Sequence, residues 1–279
     1  MNSDLPFYVE LNVMILAMSV MLCYFTWLTG LCAAPFAPKD KRNLPPITLY
    51  SGSRFPQWFD QVYTMAFIAF FAWNGGQNHY ISGGQELDPA TMQYDITLVL
   101  SNLLIYVPML VRYVTLPHWQ KPKMGAGMIT LTIIGALFFI YMVSAVMMVS
   151  GLDKFITEKT GAPELQPVLE VLRSGDLSTR INLIISAVIV APICEECCFR
   201  GFLYNVLKRY SGIFAATIVT GLVFSAVHTA LLQFIPLAVF GCVMCYVYER
   251  TRRLWVPILI HMIFNAVSTA VVLLVDLPV

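Results

Sequence analysis

Long apolar stretches separated by short polar connections dominate the chain. A helix needs about 20 apolar residues to cross the hydrocarbon core of a bilayer. We predict transmembrane helices at 7–30, 58–75, 96–117, 127–150, 181–207, 212–231, 234–249 and 255–275. The second and seventh are the shortest, so an alternative count merges or drops one of them. The pattern predicts an all-α fold, a polytopic membrane helix bundle with about eight transmembrane helices.

The composition agrees with a membrane protein. Of the 279 residues, 58% are hydrophobic and only 12% are charged, whereas a soluble domain carries about 25% charged residues. The net charge of +1 provides no basic surface for a nucleic acid. The composition therefore excludes a soluble globular protein, a disordered chain and a nucleic-acid binder. We expect the lipid bilayer as a partner and one integral membrane domain over 1–279, with N-terminal helices in 1–150.

The positive residues predict the orientation of the chain. Twelve of the 17 Lys and Arg residues lie in 31–57, in 112–125 and just after the fifth and seventh predicted helices, against four in the opposite set of loops. The positive-inside rule places the richer set in the cytoplasm. We therefore predict a multi-pass protein of the cell membrane with both termini on the non-cytoplasmic side. The N-terminus has no basic region or cleavage site, so we expect the first helix to be retained.

The longest connection, 151–180, contains a possible surface helix. Its segment PELQPVLEVLRSG has apolar residues on one side at helical spacing. This pattern predicts a short amphipathic helix, lying either on the outer membrane surface or against the ends of the loops.

Six polar side chains interrupt the apolar pattern of the last predicted helices. A charged group at mid-bilayer costs about 2.5–3.5 kcal/mol on insertion scales, so such groups are functional candidates by default. They are Glu195, Glu196 and Arg200 in the fifth helix, His228 in the sixth, and His261 and Asn265 in the eighth.

Helical spacing divides the charged residues of the fifth helix into two kinds. Glu196 and Arg200 are four residues apart, lie on one face and can form an ion pair, which favours a structural role for them. Glu195 points about 100° away from Glu196 and has no local partner. We therefore interpret Glu195 as the functional carboxylate, one that can act as a general base for water.

The eighth helix carries a second candidate pair. His261 and Asn265 share one helix face and can supply two donors to a developing oxyanion. Phe224 and His228 in the sixth helix have the same spacing, so the aromatic ring would shield one side of the imidazole. A lone buried His is also often an interhelical hydrogen-bond partner. Pro192 removes a backbone hydrogen bond, which predicts a kink that opens a hydrated pocket. The alternative is an ordinary transmembrane proline without a functional role.

Cysteines form two C-x-x-C pairs, Cys194 with Cys197 and Cys242 with Cys245. Residues three apart share one helix face, so four thiolates could meet around a metal ion or cluster. We favour the alternative that these small side chains suit close helix contacts, because unpaired thiolates in lipid would be costly.

Three motifs in the last third of the chain carry a family resemblance. ICEECCFRGFL fits E-E-x-x-x-R-G, FSAVH fits F-x-x-x-H, and LWVPILIHMIFN fits H-x-x-x-N with a preceding W-x-P. In this order, and each within an apolar stretch, they resemble the CAAX-processing and bacteriocin-processing (CPBP or Abi) family of intramembrane glutamic endopeptidases. The resemblance covers about 181–270, which would be the catalytic core.

The resemblance implies roles for the polar side chains. Glu195 and His228 would activate a water molecule, and His261 and Asn265 would form the oxyanion hole. The remaining motif residues, Glu196, Arg200 and Phe224, would support the site. The reaction would be hydrolysis of a peptide bond in a membrane-associated protein or peptide of the CAAX type or the bacteriocin or leader type.

The resemblance also implies that no cofactor and no metal ion is needed. One Glu and two His could bind Zn²⁺ with a water as the fourth ligand, but the sequence contains no H-E-x-x-H helix. We therefore favour a metal-free site and leave zinc as the alternative.

Two other classes of function remain open from the sequence. A membrane immunity or scaffolding protein without enzymatic activity would keep these residues for packing or partner binding. A proton-coupled transporter would use Glu and His as a proton relay, although the sequence shows no paired halves of the kind many transporters have.

Overall fold

A computed structural model describes residues 124–162, 172, 176–228 and 230–274, together with positions 7, 11, 14, 15, 17, 18 and 21. All regular structure within these residues is helical. The predicted helices at 58–75 and 96–117, most of the one at 7–30, and all but residue 172 of the predicted surface helix lie outside them. The total of about eight transmembrane helices and the orientation of both termini stay predictions.

The structure describes six helices of eight or more residues between 124 and 274. They are α1 (Ala126–Ser150), α2 (Leu152–Thr160), α3 (Leu177–Lys208), α4 (Ser211–Val227), α5 (Phe234–Thr251) and α6 (Trp255–Leu274). Within the described residues α1, α3, α6 and α5 with its preceding 3-10 turn are long and apolar enough to span a membrane. They correspond to the predicted helices at 127–150, 181–207, 255–275 and 234–249. The predicted helix at 212–231 is α4, which ends earlier, at Val227.

Local chemistry explains where α3 begins and where α4 separates from it. The Asp176 carboxylate accepts a hydrogen bond of 2.7 Å from the Thr179 N–H, which caps the start of α3. Hydrogen bonds from the Thr179 hydroxyl and backbone lower the pKa of Asp176. Gly212 interrupts the helical run Tyr204–Val227 with a φ of 83° and a ψ of 174°, a conformation that a residue with a Cβ rarely adopts.

Helix α3 is not a uniform α-helix. Two segments have the wider π geometry, Ser186–Val190 and Cys197–Leu203, and the α-helical segment Ala191–Glu196 lies between them. Pro192 stands in the first turn of that central segment. A widened turn therefore lies directly before Pro192, the proline for which the sequence predicts a kink. Such π segments are uncommon and are frequent at functional sites.

A close helix contact in the core joins α4 to α5 at Gly221 and Gly241. A Cβ on Gly241 would lie 2.7 Å from the Gly221 Cα, and a Cβ on Gly221 would lie 2.8 Å from the Ala238 carbonyl oxygen. Glycine is therefore required on both sides of this contact. The large buried side chains around it include Phe199, Leu203, Phe224, Phe240, Met244 and Ile260.

Substitution Gly241→Ala tests this contact. The added methyl group meets backbone atoms that cannot rotate away, so we expect a loss of about 1–3 kcal/mol of stability. Thermal unfolding in detergent measures the effect. Gly135→Ala is the matched control. Gly135 lies at an exposed position in the middle of α1, where a Cβ would meet nothing within 4 Å. Equal melting temperatures for the two variants would contradict the close contact.

Candidate active site

The polar side chains singled out from the sequence come together from three helices. Glu195 and Glu196 lie on the central α-helical segment of α3, His228 follows the last turn of α4, and His261 lies on α6. Residues 33 to 66 positions apart in the chain thus meet in one part of the bundle.

One carboxylate oxygen faces both imidazole rings. His228 Nε2 lies 3.8 Å and His261 Nε2 lies 3.9 Å from Glu195 Oε2. This oxygen is buried and accepts no hydrogen bond from the described part of the protein. The Glu195 side chain is nevertheless 18% exposed and that of His228 is 27% exposed, so both side chains are partly accessible.

The backbone of α4 orients His228. Its Nδ1 lies 2.7 Å from the Phe224 carbonyl oxygen. Because a carbonyl oxygen only accepts, Nδ1 is the donor in this contact, and Nε2 is the ring nitrogen that faces Glu195. The Phe224 ring lies against the imidazole with a centroid separation of 4.7 Å, as the spacing of the two residues predicts.

Glu196 orients the second imidazole. Its Oε1 accepts a hydrogen bond of 2.8 Å from Arg200 Nη1, so the predicted ion pair is present, and it also lies 3.0 Å from His261 Nδ1. Glu196 and Arg200 are both 0% exposed, and Arg200 also donates to the Gly241 carbonyl oxygen at 3.2 Å. Glu196 therefore holds His261 by Nδ1 and leaves Nε2 toward Glu195.

Asn265 contacts a different part of α3. Its Nδ2 donates to the Ala187 carbonyl oxygen at 2.8 Å. His261 and Asn265 share one face of α6, as predicted. His261 contacts Glu196, whereas Asn265 contacts the backbone of α3 about two turns earlier. One of the two N–H groups of the Asn265 amide is thereby occupied.

Phe240 is a site residue that the sequence did not single out. Its ring centroid lies 4.9 Å from that of His261 and 5.6 Å from that of Phe224. The ring closes one side of the His261 imidazole with apolar surface, and so excludes water there. The sequence offers no signal for it, because the seventh predicted helix has no ionisable residue near its middle.

A separate polar cluster joins α3 to the far end of α5. Glu249 accepts hydrogen bonds from the Tyr204 hydroxyl at 3.0 Å and from Lys208 Nζ at 2.7 Å, and it pairs with Arg252. Lys208 is only 4% exposed. This cluster anchors the two helices. Lys208 and Arg252 entered the sequence analysis only among the positive residues that follow the fifth and seventh predicted helices, and Tyr204 and Glu249 did not enter it.

The thiols and the acidic groups were also candidates for metal binding. Among the described residues, no three His, Cys, Asp or Glu side chains are arranged to hold a metal ion. Cys194, Cys197, Cys198, Cys242 and Cys245 are free thiols.

An apolar helix bundle in which a carboxylate faces two imidazoles defines the class of protein: a multi-pass membrane protein with ionisable side chains inside its spans. Comparison with known proteins specifies the class further. The family described as type II CAAX prenyl endopeptidase Rce1-like matches residues 177–267, which include all three motifs.

Two curated relatives agree with this match. The chain is 30% identical to YdiL of Bacillus subtilis (strain 168), named as a candidate membrane peptidase, over 194 residues, which are 66% of this chain and 75% of YdiL. It is 34% identical to the membrane-embedded CAAX protease MroQ of Staphylococcus aureus (strain USA300) over 118 residues, 39% of this chain and 47% of MroQ. No solved structure matches the chain significantly.

The chain therefore belongs to the Rce1-like CAAX endopeptidase family, and the resemblance seen in its three motifs is confirmed. It is a multi-pass membrane protein, and its family membership supports a membrane protease.

The buried ion pair can be tested apart from any activity. Arg200→Met keeps the apolar stem but leaves Glu196 as an uncompensated buried charge, so we expect a loss of about 3–5 kcal/mol of stability. The added substitution Glu196→Gln removes that charge and recovers part of the loss. Thermal unfolding in detergent measures both effects.

Arg250→Met, at an exposed arginine in α5, is the control and should change stability by less than about 0.5 kcal/mol. If Arg200→Met is no more damaging than this control, the ion pair does not stabilise the fold.

Proposed function

We propose that the protein is an intramembrane endopeptidase that hydrolyses a peptide bond with a water molecule activated by Glu195 and His228. The observation that carries the proposal is the approach of His228 Nε2 and His261 Nε2 to the same Glu195 oxygen, at 3.8 Å and 3.9 Å. Three helices of an apolar bundle bring these atoms together. A carboxylate oxygen without a hydrogen-bond partner is costly in a membrane interior, so a purely structural role does not explain Glu195.

The separation of Glu195 Oε2 and His228 Nε2 suits an intervening water molecule. Two atoms 3.8 Å apart can both lie within about 2.8–3.0 Å of one water oxygen. Glu195 accepts one proton as that oxygen attacks the carbonyl carbon of the scissile bond, and a C–O bond forms. When the C–N bond breaks, the proton passes from Glu195 to the leaving amine. One water molecule is consumed, and a carboxylic acid and an amine are formed.

His261 is the donor proposed for the oxyanion, and Asn265, whose Nδ2 already donates to the Ala187 carbonyl oxygen, serves it indirectly. The Nδ1 of His261 lies 3.0 Å from Glu196 Oε1, so Nε2 is the His261 nitrogen left for the substrate. Glu196 and Arg200 compensate each other and add no net charge to the site.

The substrate we propose is a membrane-associated protein or peptide. MroQ is named as a CAAX protease, and the family is one of CAAX prenyl endopeptidases, so a prenylated CAAX C-terminus is the first substrate to test. A bacteriocin-type or leader-type peptide is the second.

Substitutions Glu195→Gln and His228→Ala test the proposed roles. Each removes a group that handles a proton in the reaction, so we expect kcat to fall by about 10²- to 10⁴-fold. The measurement is cleavage of peptides with a prenylated or unprenylated CAAX end, and of a leader peptide, by purified protein in proteoliposomes. Melting temperatures near that of the parent would show that the fold is intact.

Glu158→Gln, which neutralises an exposed carboxylate on α2, is the matched control and should cleave as well as the parent. Full activity of Glu195→Gln would refute the assignment. A membrane scaffolding or immunity role would be indicated if the parent cleaves nothing while Glu195→Gln keeps its effect in cells.

A further inference from the structure

The backbone of α3 contains a carbonyl group that its own helix does not satisfy. In the π segment before Pro192, the Ala191 N–H reaches back five residues to the Ser186 carbonyl oxygen. The Ala187 carbonyl oxygen therefore loses the Ala191 N–H, its partner in an α-helix. Its partner in the π register would be residue 192, and proline has no N–H.

Asn265 supplies the missing donor from α6, 78 positions further along the chain. Its Nδ2 lies 2.8 Å from the Ala187 carbonyl oxygen. An unpaired carbonyl in a membrane interior is costly, and a neighbouring helix is one of the few sources of a donor there. The contact therefore serves a particular need created by Pro192.

An asparagine amide also binds the second π segment of α3. The Tyr204 N–H, which would serve the Arg200 carbonyl in an α-helix, reaches back to the Phe199 carbonyl oxygen. The Asn205 amide donates to the Arg200 carbonyl oxygen at 2.9 Å and to the Gly201 carbonyl oxygen at 3.0 Å. Position 205 has a backbone N–H of its own, so this amide adds to the donors of α3, whereas Asn265 replaces the donor that Pro192 lacks.

The contact fixes the catalytic segment of α3 against α6. His261 and Asn265 are four residues apart on α6, and they contact α3 at the acidic pair and at Ala187 respectively. Two contacts along one helix face set both the rotation and the register of α3. Glu195 lies between the two contact positions on α3, Ala187 and Glu196, so its distance from His261 depends on both contacts.

We propose that Asn265 is a positioning residue: it holds the Ala187 carbonyl that Pro192 leaves unpaired, and thereby keeps Glu195 in place beside His261. The existence of this contact is independent of the proposed peptidase activity, whereas its effect on the rate rests on that activity. Asn265 then acts through the position of α3. Loss of its amide is compensated by any change that gives the Ala187 carbonyl oxygen another hydrogen-bond donor.

A double-mutant cycle of Asn265→Ala and Pro192→Ala tests this coupling. Asn265→Ala leaves the carbonyl unpaired, so we expect the melting temperature in detergent to fall by about 2–4 °C. The further change Pro192→Ala provides an N–H at position 192, so it should restore most of that loss. Pro236→Ala is the matched control, because Pro236 lies in the first turn of α5, where an N–H has no helical partner.

The peptidase assay gives the second measurement on the same four proteins. Asn265→Ala should lower kcat by about 100-fold through displacement of Glu195, and Pro192→Ala should recover at least tenfold of that loss with little change in KM. A direct oxyanion donor would not be rescued in this way. If the effects of Asn265→Ala and Pro192→Ala on the melting temperature are additive, the contact is refuted. If the melting temperatures are coupled but Pro192→Ala does not recover the kcat of Asn265→Ala, the positioning role is refuted.

Failure of the proposed function is a separate result. If the parent protein cleaves no peptide, the endopeptidase proposal fails, while the melting temperatures of the cycle still support or overturn the contact between Asn265 and the Ala187 carbonyl.

Discussion

A buried carboxylate must have its charge compensated, and Glu196 is the point at which this requirement shapes the bundle. Glu196 and Arg200 are both fully buried and joined by a hydrogen bond of 2.8 Å. In a low-dielectric interior neither side chain is tolerable without the other. The pair in turn binds His261 on α6 and the Gly241 carbonyl on α5. A charge requirement internal to α3 thus fixes two neighbouring helices.

The same pair distinguishes the two neighbouring acidic residues. Glu196 is enclosed and hydrogen-bonded through Oε1, whereas Glu195 remains partly exposed and faces two imidazole nitrogens. Glu196 is therefore the partner of Arg200, and Glu195 is the carboxylate that lies between the two imidazoles. The Arg200 guanidinium also lies 4.7 Å from the Phe224 ring centroid, so the aromatic wall of the site packs on the ion pair that supports it.

Backbone hydrogen bonding is the second constraint, and it concerns α3 in particular. The first π segment leaves the Ala187 carbonyl without an N–H at position 192, and a bilayer offers no water to serve it. The side-chain amide of Asn265 takes that place, and that of Asn205 donates to carbonyl oxygens of the second segment. The close contact of Gly221 with Gly241 brings α4 near enough to α5 for Phe224 and Phe240 to enclose His261.

The sequence by itself determined the positions of α1, α3, α4, α5 and α6, because a bilayer admits only apolar stretches of sufficient length. It also determined the pairing of Glu196 with Arg200, since that contact is local to one helix. The tertiary structure alone decided that His261 binds Glu196 across 65 positions and that Asn265 binds Ala187 across 78. It alone placed Phe240 at the site. Such contacts depend on helix rotation, and each π segment shifts that rotation away from what α-helical spacing predicts.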